Sequence, residues 1–258
     1  MSVPSQQSTF SIAPQGAKVG DGAWTTSNYT WHRYRVPRVS GLSQQMQTVL
    51  PPENGGVITA TGAYKFGAFV GTEIDLIPRL ENNFGWLLEA ALGAVTSVAN
   101  ARYTASGFVE DVTGVNAHVF RFDPSDSSYQ PWLAVRRTIP GASTTYGEIG
   151  YDCKVGSLRL NVPAGGLLTS RIGIVGRRPI QEDPTGWTYA DPFEGSDSIP
   201  QGMRGSLSIA GSTLPVTGLS IDIINGLSTP QQEMVIGSFY PDDFVALTRG
   251  CTIRAVYK

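Results

Sequence analysis

The sequence predicts a mainly β protein, a β-sandwich or barrel with one flanking α-helix, an extended N-terminal arm and a long inter-subunit loop. Three observations predict this fold class: a period of two along residues 57–77, one segment of helical spacing directly after it, and many short apolar segments between turn formers. Glycine and proline account for 30 and 17 of the 258 residues and supply those turns. All-β domains of this length are often single, so we expect an arm over residues 1–30 and one β-sandwich domain over residues 31–258.

The clearest strand pattern lies in residues 57–77, where apolar and polar side chains alternate. The even positions hold Ile58, Tyr64, Phe66, Val70, Ile74 and Leu76, and the odd positions hold Thr59, Thr61, Lys65, Glu73 and Asp75. This alternation predicts one core face and one face turned to water or to a lumen, in two strands or in one long strand bent at Gly67 or Gly71. Lys65, Glu73 and Asp75 lie on this polar face, so they are the candidate lumen-facing residues if the face lines a lumen and ordinary surface residues if it meets water.

A helix is predicted directly after this strand. Its apolar residues at i, i+3, i+4, i+7 and i+8 are Phe84, Leu87, Leu88, Ala91 and Leu92. Asn82 or Asn83 is placed to cap its start, and Gly93 is placed to end it in the left-handed conformation. We expect Phe84, Leu87, Leu88 and Leu92 to pack the helix onto a sheet, at about 1.5–3 kcal/mol for each buried side chain.

The remaining chain predicts short strands separated by Gly, Pro, Asp and Ser. They lie around residue 108 and at residues 118–123, 132–139, 146–162, 167–177, 205–210, 219–224, 234–239 and 247–257. Along one of them the inward residues change from Tyr151, Cys153 and Val155 to Leu158, Leu160 and Val162. The parity changes at Gly156, which predicts a β-bulge there.

Two polar segments are predicted to contact other subunits. Residues 1–30 are mostly Ser, Gln, Gly, Ala and Thr with isolated aromatic residues, which predicts either a disordered tail or an arm that docks on a neighbouring subunit. Residues 40–56 form a long loop rich in Gln, Pro and Gly, and residues 179–202 form another that is rich in Pro and acids. The candidate inter-subunit residues of the arm and first loop are Phe10, Trp24, Tyr29, Gln44, Gln45, Met46 and Leu50.

Catalytic chemistry has little support in the sequence. The two histidines, His32 and His118, each stand in a strand-like segment beside an aromatic residue, and no nucleophile elbow, phosphate loop or zinc motif is present. The acidic residues of the second loop lie on a Pro-rich segment and not on rigid strands, so a solvated loop is favoured over a glycosidase pair. We expect no enzyme activity, no cofactor and no metal, and we interpret Cys153 and Cys251 as reduced core residues.

Charge and hydropathy point to an assembly. Charged residues make up 16% of the chain, below the roughly 25% of ordinary soluble domains, and the formal net charge is −2. A weakly charged surface favours burial against other copies, and the absence of excess Lys and Arg argues against sequence-specific binding of nucleic acid. The N-terminal residues lack the pattern of a signal peptide and no apolar run reaches membrane-spanning length, so we expect assembly in the cytoplasm and no membrane partner.

Several segments carry a resemblance to a known family. They are residues 62–66, residues 83–93, the strand that holds Phe120, Phe122, Asp123 and Pro124, and the stretch from Tyr146 and Gly150 through residues 153–163 to Gly165 and Gly166. Their order along the chain resembles that of the tail tube proteins, also called major tail proteins, of siphophages. The loop at residues 179–202 is longer than in the smallest members of that family.

This resemblance implies a structural subunit that assembles into stacked, hexameric rings whose inner strands join in a continuous barrel. The rings would form the conduit for DNA ejection during host entry, and the protein would belong to the tail of the virion. The implied partners are further copies of the chain, the tape measure protein, the tail terminator and tip proteins, and DNA that passes without specific binding. The alternatives are another β-rich virion protein, such as a terminator, connector or decoration protein, and a carbohydrate-binding module or β-fold hydrolase.

Overall fold

The computed structural model describes most of the chain. The described residues are 8–20, 22, 29–34, 36, 42–49, 64–79, 83–104, 106–110, 113–122, 130–141, 144–190, 200–202, 207–209 and 211–257. The strands are β1 (Phe10–Gln15), β2 (His32–Tyr34), β3 (Ser43–Val49), β4 (Tyr64–Leu76), β5 (Gly93–Val98), β6 (Arg102–Thr104), β7 (Gly107–Val109), β8 (Ala117–Phe122), β9 (Trp132–Pro140), β10 (Thr145–Pro163), β11 (Thr169–Glu182), β12 (Leu207–Ile209), β13 (Ser212–Leu214), β14 (Val216–Leu227) and β15 (Ala246–Tyr257), and the helix is α1 (Phe84–Leu92). The predicted mainly β fold with one flanking helix is confirmed.

The main sheet has nine antiparallel strands organised around β10, which is 19 residues long. Residues 145–153 of β10 pair with β9, which continues to β1 and β2; these strands are the first half-sheet. Residues 157–163 of β10 pair with β14, which continues to β15; these strands are the second half-sheet. On its other side β10 pairs along both parts with β11, followed by β4 and β3, and among the described strands the sheet does not close into a barrel.

Two bulges in β10 decide which of its side chains enter which core. The bulge at Gly156 is confirmed by the register shift between Val155 and Ser157. A second shift between Gly150 and Cys153 contains Asp152, whose φ of 51° lies in the left-handed region. Each extra residue reverses the alternation of side chains. Tyr151 therefore lies on the opposite face of the sheet from Cys153, although the sequence pattern predicted one face for both.

The main core lies on one face of the sheet and is covered by α1. It contains Val70, Ile74 and Leu76 of β4, together with Leu87 of the helix, so the predicted core face is confirmed for these three strand residues. Residues 57–63 of the predicted strand lie outside the described residues. The helix ends as predicted at Gly93, whose φ is 95° and whose N–H donates to the carbonyl oxygen of Glu89. Asn83 does not cap the helix with its side chain but donates from Nδ2 to the carbonyl oxygen of Arg33, which ties α1 to β2.

A second, smaller core lies on the opposite face of the first half-sheet. Its buried residues are Ala13, Trp31, Ala134, Ile149 and Tyr151, with Tyr29, Trp187 and Tyr189 packed against it. Successive residues of a strand face opposite ways, so Ile12 enters the main core and Ala13 enters this one. Both faces of the first half-sheet are therefore covered by the chain itself.

The structure corrects several of the predicted elements. Residues 10–15, expected in the extended arm, form β1 between β2 and β9, and Phe10 is buried in the main core, because a ladder with β9 satisfies the backbone of this apolar stretch. Part of the predicted loop at residues 40–56 is strand β3, paired with β4. The predicted loop at residues 179–202 starts later than expected, because β11 continues to Glu182 in its ladder with β10. Residues 234–239, expected as a strand, form turns, with Gly237 at a φ of 93° and Ile236 fully exposed.

The two cysteines differ, which corrects their joint interpretation as core residues. Cys153 is buried in the main core, where burial raises the pKa of its thiol, whereas Cys251 is exposed on β15 and both thiols are free. We expect one thiol of the native monomer to react rapidly with a chromogenic disulfide reagent at pH 8, and the second to react only after denaturation, because only a reachable thiolate attacks. The variant Cys251→Ser should lose the rapid phase, and rapid labelling of that variant would contradict the burial of Cys153.

Candidate functional site

The candidate site is the polar face of the sheet that turns away from the main core. On five adjacent strands one row of residues is aligned by the backbone register: Asp75 pairs with Arg171, Arg171 with Arg159, Arg159 with Asp222, and Asp222 with Thr252. Because neighbouring strands lie about 4.8 Å apart, opposite charges in such a row come within hydrogen-bonding distance. The row therefore crosses the second half-sheet, β11 and β4 with two arginines adjacent at its centre and an aspartate on the outer side of each.

Two ion pairs organise this row. Arg171 donates from Nε to Oδ1 of Asp75 at 2.7 Å and from an Nη to Oδ2 at 3.3 Å, and both side chains remain about half exposed. Arg159 donates from Nε to Oδ1 of Asp222 at 2.5 Å, with the arginine largely exposed above a nearly buried carboxylate. The hydrogen bond and charge of Asp75 raise the pKa of the Arg171 guanidinium. Both arginines are held by carboxylates in fixed positions.

The four charged residues of this row line an open trough of about 600 Å³. The trough is also lined by polar residues of the neighbouring row, in which Asn161 pairs with Thr169 and Ser220, and Ser220 pairs with Arg254. We call Asp75, Arg159, Arg171, Asp222 and Arg254 the charged trough. With the exposed Glu73 beside it on β4, three arginines stand against three carboxylates, so this surface carries no net charge.

The predicted lumen-facing residues only partly share this surface. Glu73 and Asp75 lie on the polar face of β4, and Asp75 is a member of the charged trough. Lys65 is exposed but lies towards the other end of β4, where it pairs with Thr48 of β3.

The arginines Arg159, Arg171 and Arg254 and the acid Asp222 were missed at the level of sequence. The sequence does contain a pattern that could have identified them: each is a single charged residue between apolar or small neighbours within a strand.

The predicted inter-subunit residues lie in different parts of the structure. Phe10 is buried within its own chain, and Tyr29 packs against the second core with its ring 6.4 Å from that of Trp31. Gln44, Gln45 and Met46 lie on β3, where the side chains of Gln45 and Met46 are exposed. Trp24 and Leu50 lie outside the described residues.

The four predicted helix-packing residues lie at the main core. Leu87 is buried in it, and Phe84, Leu88 and Leu92 are partly buried against it. Their placement holds α1 over β10, on the face opposite the charged trough.

Among the described residues, strand β15 has an unpaired edge and is exposed on both faces. Its strand partner there is β14, and ten of its twelve residues are exposed. The large apolar ones among them are Leu247, Ile253, Val256 and Tyr257, each more than 60% exposed. Long edge strands with apolar side chains are templates for pairing with another chain.

Both histidines have structural surroundings. His32 is buried and stacks on Trp86 with a centroid distance of 4.7 Å, and Nδ1 of His118 is 2.7 Å from Oγ of Ser97. The described residues contain no group of His, Cys, Asp and Glu arranged to hold a metal ion. No helix in the described ranges is long and apolar enough to cross a membrane.

Comparison with known proteins gives one family. A family model described as phage tail tube protein matches residues 5–257, nearly the whole chain. No curated protein shows significant similarity to the chain.

Proposed function

Because the chain belongs to the phage tail tube protein family, we propose that it assembles into stacked, hexameric rings that form the conduit for DNA ejection. The family establishes a structural subunit of the tail tube, and the ring geometry and the channel wall are the proposal. Its partners are further copies of the chain, the tape measure protein, the terminator and tip proteins, and DNA that passes without specific binding.

The observation that supports this proposal best is the open edge of β15. Twelve residues of extended backbone present their outward hydrogen-bonding groups on this edge, and their side chains are exposed on both faces. A monomer with such an edge is prone to uncontrolled association, whereas a ring pairs each edge with the next subunit and leaves none free. Sheet extension by a second copy is therefore the simplest use of β15.

The face of β15 on the core side also favours another subunit. The register places Cys251 beside Ile223 and Ile253 beside Ile221, so the apolar layer of the main core continues onto β15. Ile223 is buried but Ile253 is 62% exposed, because the layer extends beyond the part that α1 covers. A neighbouring copy that continues the sheet would cover this layer.

The opposite face of the same strands is proposed to line the channel. It carries the charged trough, whereas the other face carries the helix and the main core, which belong on the outside of a ring. Glu73 and Asp75 are then luminal, with Lys65 nearer one end of β4. The exposed Gln45 and Met46 of β3, with Trp24 and Leu50, are proposed to join neighbouring subunits.

The test is a charge placed on β15. Ile253→Asp should leave a folded monomer, because the side chain is already exposed, but should abolish long tubes. Each interface would lose roughly 1.5–3 kcal/mol of apolar burial and would bury an unpaired carboxylate. Negative-stain electron microscopy and sedimentation velocity measure assembly, and thermal unfolding of the monomer measures folding.

The matched control is Thr213→Asp, which adds the same charge at an exposed position of β13, outside the main sheet. We expect this variant to form tubes like the unmodified protein. Tubes of normal length from Ile253→Asp would show that β15 is not an assembly surface.

A further inference from the structure

We propose that Asp75 is a fixed counter-ion that cancels the charge of Arg171 on the channel wall, so that this ion pair sets how weakly the wall holds passing DNA. The inference rests on the proposed function, because it requires the charged trough to face the channel. It assigns Asp75 the role of neutralising an arginine, whereas an unpaired carboxylate on the channel wall would repel phosphate.

The geometry supports neutralisation over repulsion. Asp75 accepts two hydrogen bonds from one guanidinium, at 2.7 and 3.3 Å, and this two-point contact fixes both partners. A carboxylate held in this way contributes little negative field above the sheet. The neighbouring pair of Arg159 and Asp222 repeats the arrangement two strands away.

The arginine keeps some capacity to touch phosphate. A guanidinium has five N–H donors, and Asp75 takes hydrogen bonds from two of its nitrogens. The remaining donors are available to water or to a phosphate oxygen, but without the net charge that drives counter-ion release. The wall would thus form brief hydrogen bonds with DNA and no strong electrostatic attachment.

This ion pair can be removed without damaging the fold. Both side chains are about half exposed, and exposed ion pairs stabilise proteins by only about 0–1 kcal/mol. Asp222 is unsuitable for the same experiment, because it is nearly buried and its replacement would alter the packing beneath Arg159. Asp75 and Arg171 are therefore the pair to test.

The experiment compares tubes assembled from the unmodified protein, Asp75→Asn, Arg171→Gln and the double variant. Short fluorescent duplex DNA is added to open tubes, external DNA is digested with nuclease, and the protected DNA is measured between 50 and 200 mM salt. Tubes of Asp75→Asn should protect more DNA, and the protected amount should fall more steeply with salt. Each uncompensated phosphate contact steepens the slope of log binding constant against log salt concentration by about 0.9. One such contact corresponds to about a 3.5-fold loss over this fourfold salt range.

Arg171→Gln should protect less DNA than the unmodified protein, and the double variant should return to the unmodified level, because both partners are then neutral. Glu110→Gln is the matched control, since it removes one exposed carboxylate far from the charged trough in sequence and should change nothing. Asp75→Asn tubes that behave like Glu110→Gln tubes would overturn the inference, as would a double variant that retains the Asp75→Asn level. Failure of the unmodified protein to form tubes would instead refute the proposed function.

Discussion

Replacing Asp152 by asparagine should lower the free energy of unfolding by about 3–5 kcal/mol, because Arg177 would keep a buried charge without the carboxylate that faces it. Both side chains are almost completely buried, with Arg177 Nη1 3.2 Å from Asp152 Oδ2. The loss of one partner of a buried ion pair is far more costly than the loss of an exposed pair.

The carboxylate of Asp152 also organises the backbone that follows β1. Oδ1 accepts hydrogen bonds from Gln15 Nε2 and the N–H of Val19, and Oδ2 accepts one from the N–H of Gly20. Gln15 Oε1 in turn accepts from the N–H of Asp152 at 2.9 Å. One residue at a bulge of β10 therefore fixes residues 15–20 to the sheet.

Asparagine separates the charge effect from the backbone effect. It tolerates the left-handed conformation of Asp152 at least as well as aspartate, whereas Asp152→Ala adds a backbone cost of about 1–2 kcal/mol. Denaturant unfolding at pH 7 measures both variants, and Asp183→Asn is the control at an exposed acid. A Asp152→Asn variant within about 0.5 kcal/mol of the unmodified protein would contradict a structural role for this ion pair.

The second large effect is expected at Arg136, whose side chain is buried among three aromatic rings. Its guanidinium carbon lies 4.1 Å from the ring centroid of Trp31 and 4.6 Å from those of Trp187 and Tyr189. Nε donates to Oγ of Ser11, and an Nη donates to the carbonyl oxygen of Thr188. These contacts hold residues 187–189 over the second core.

Arg136→Lys should lower the free energy of unfolding by about 2–4 kcal/mol, since an ammonium cannot stack on three rings and also reach both hydrogen-bond acceptors. Burial lowers the pKa of Arg136 to about 10, partly offset by Tyr189 and Glu182, so the group is still charged at neutral pH. In this variant Trp187 should become more exposed to water, which should shift the fluorescence of the native protein to longer wavelength.

Arg121→Lys is the control, because Arg121 is exposed on β8 and donates one hydrogen bond to Thr96. Unfolding curves and native fluorescence are compared for both variants. Equal stability of Arg136→Lys and Arg121→Lys would show that the stacked guanidinium does not hold the segment.

The sequence predicted those elements whose pattern is local. The alternation in β4 and the helical spacing of α1 lie within single elements, and each was found where expected. Strand β3 was not predicted, because Gln-rich residues 43–49 have no strand pattern of their own and form a strand by pairing with β4. Residues 234–239 show the converse, an apolar run that pairs with no strand among the described residues and turns at Gly237.

The candidate site could be predicted only in part, because its ion pairs join residues that are far apart in the sequence. Asp75 was found from its place in an alternating strand, but its partner Arg171 is 96 residues away in sequence. The partners Arg159 and Asp222 are separated by 63 residues. Which arginine faces which acid depends on the order of strands in the sheet and on the bulge at Gly156, and neither is visible as a periodicity.

The two bulges of β10 also have a mechanical consequence. One unbroken strand belongs to both half-sheets, so the covalent chain transmits tension directly from one to the other. At each bulge the ladder is already interrupted, and a change of curvature there breaks fewer hydrogen bonds than anywhere else along the strand. When a long tube bends, its subunits would flex at these two points while the paired stretches on either side stay rigid.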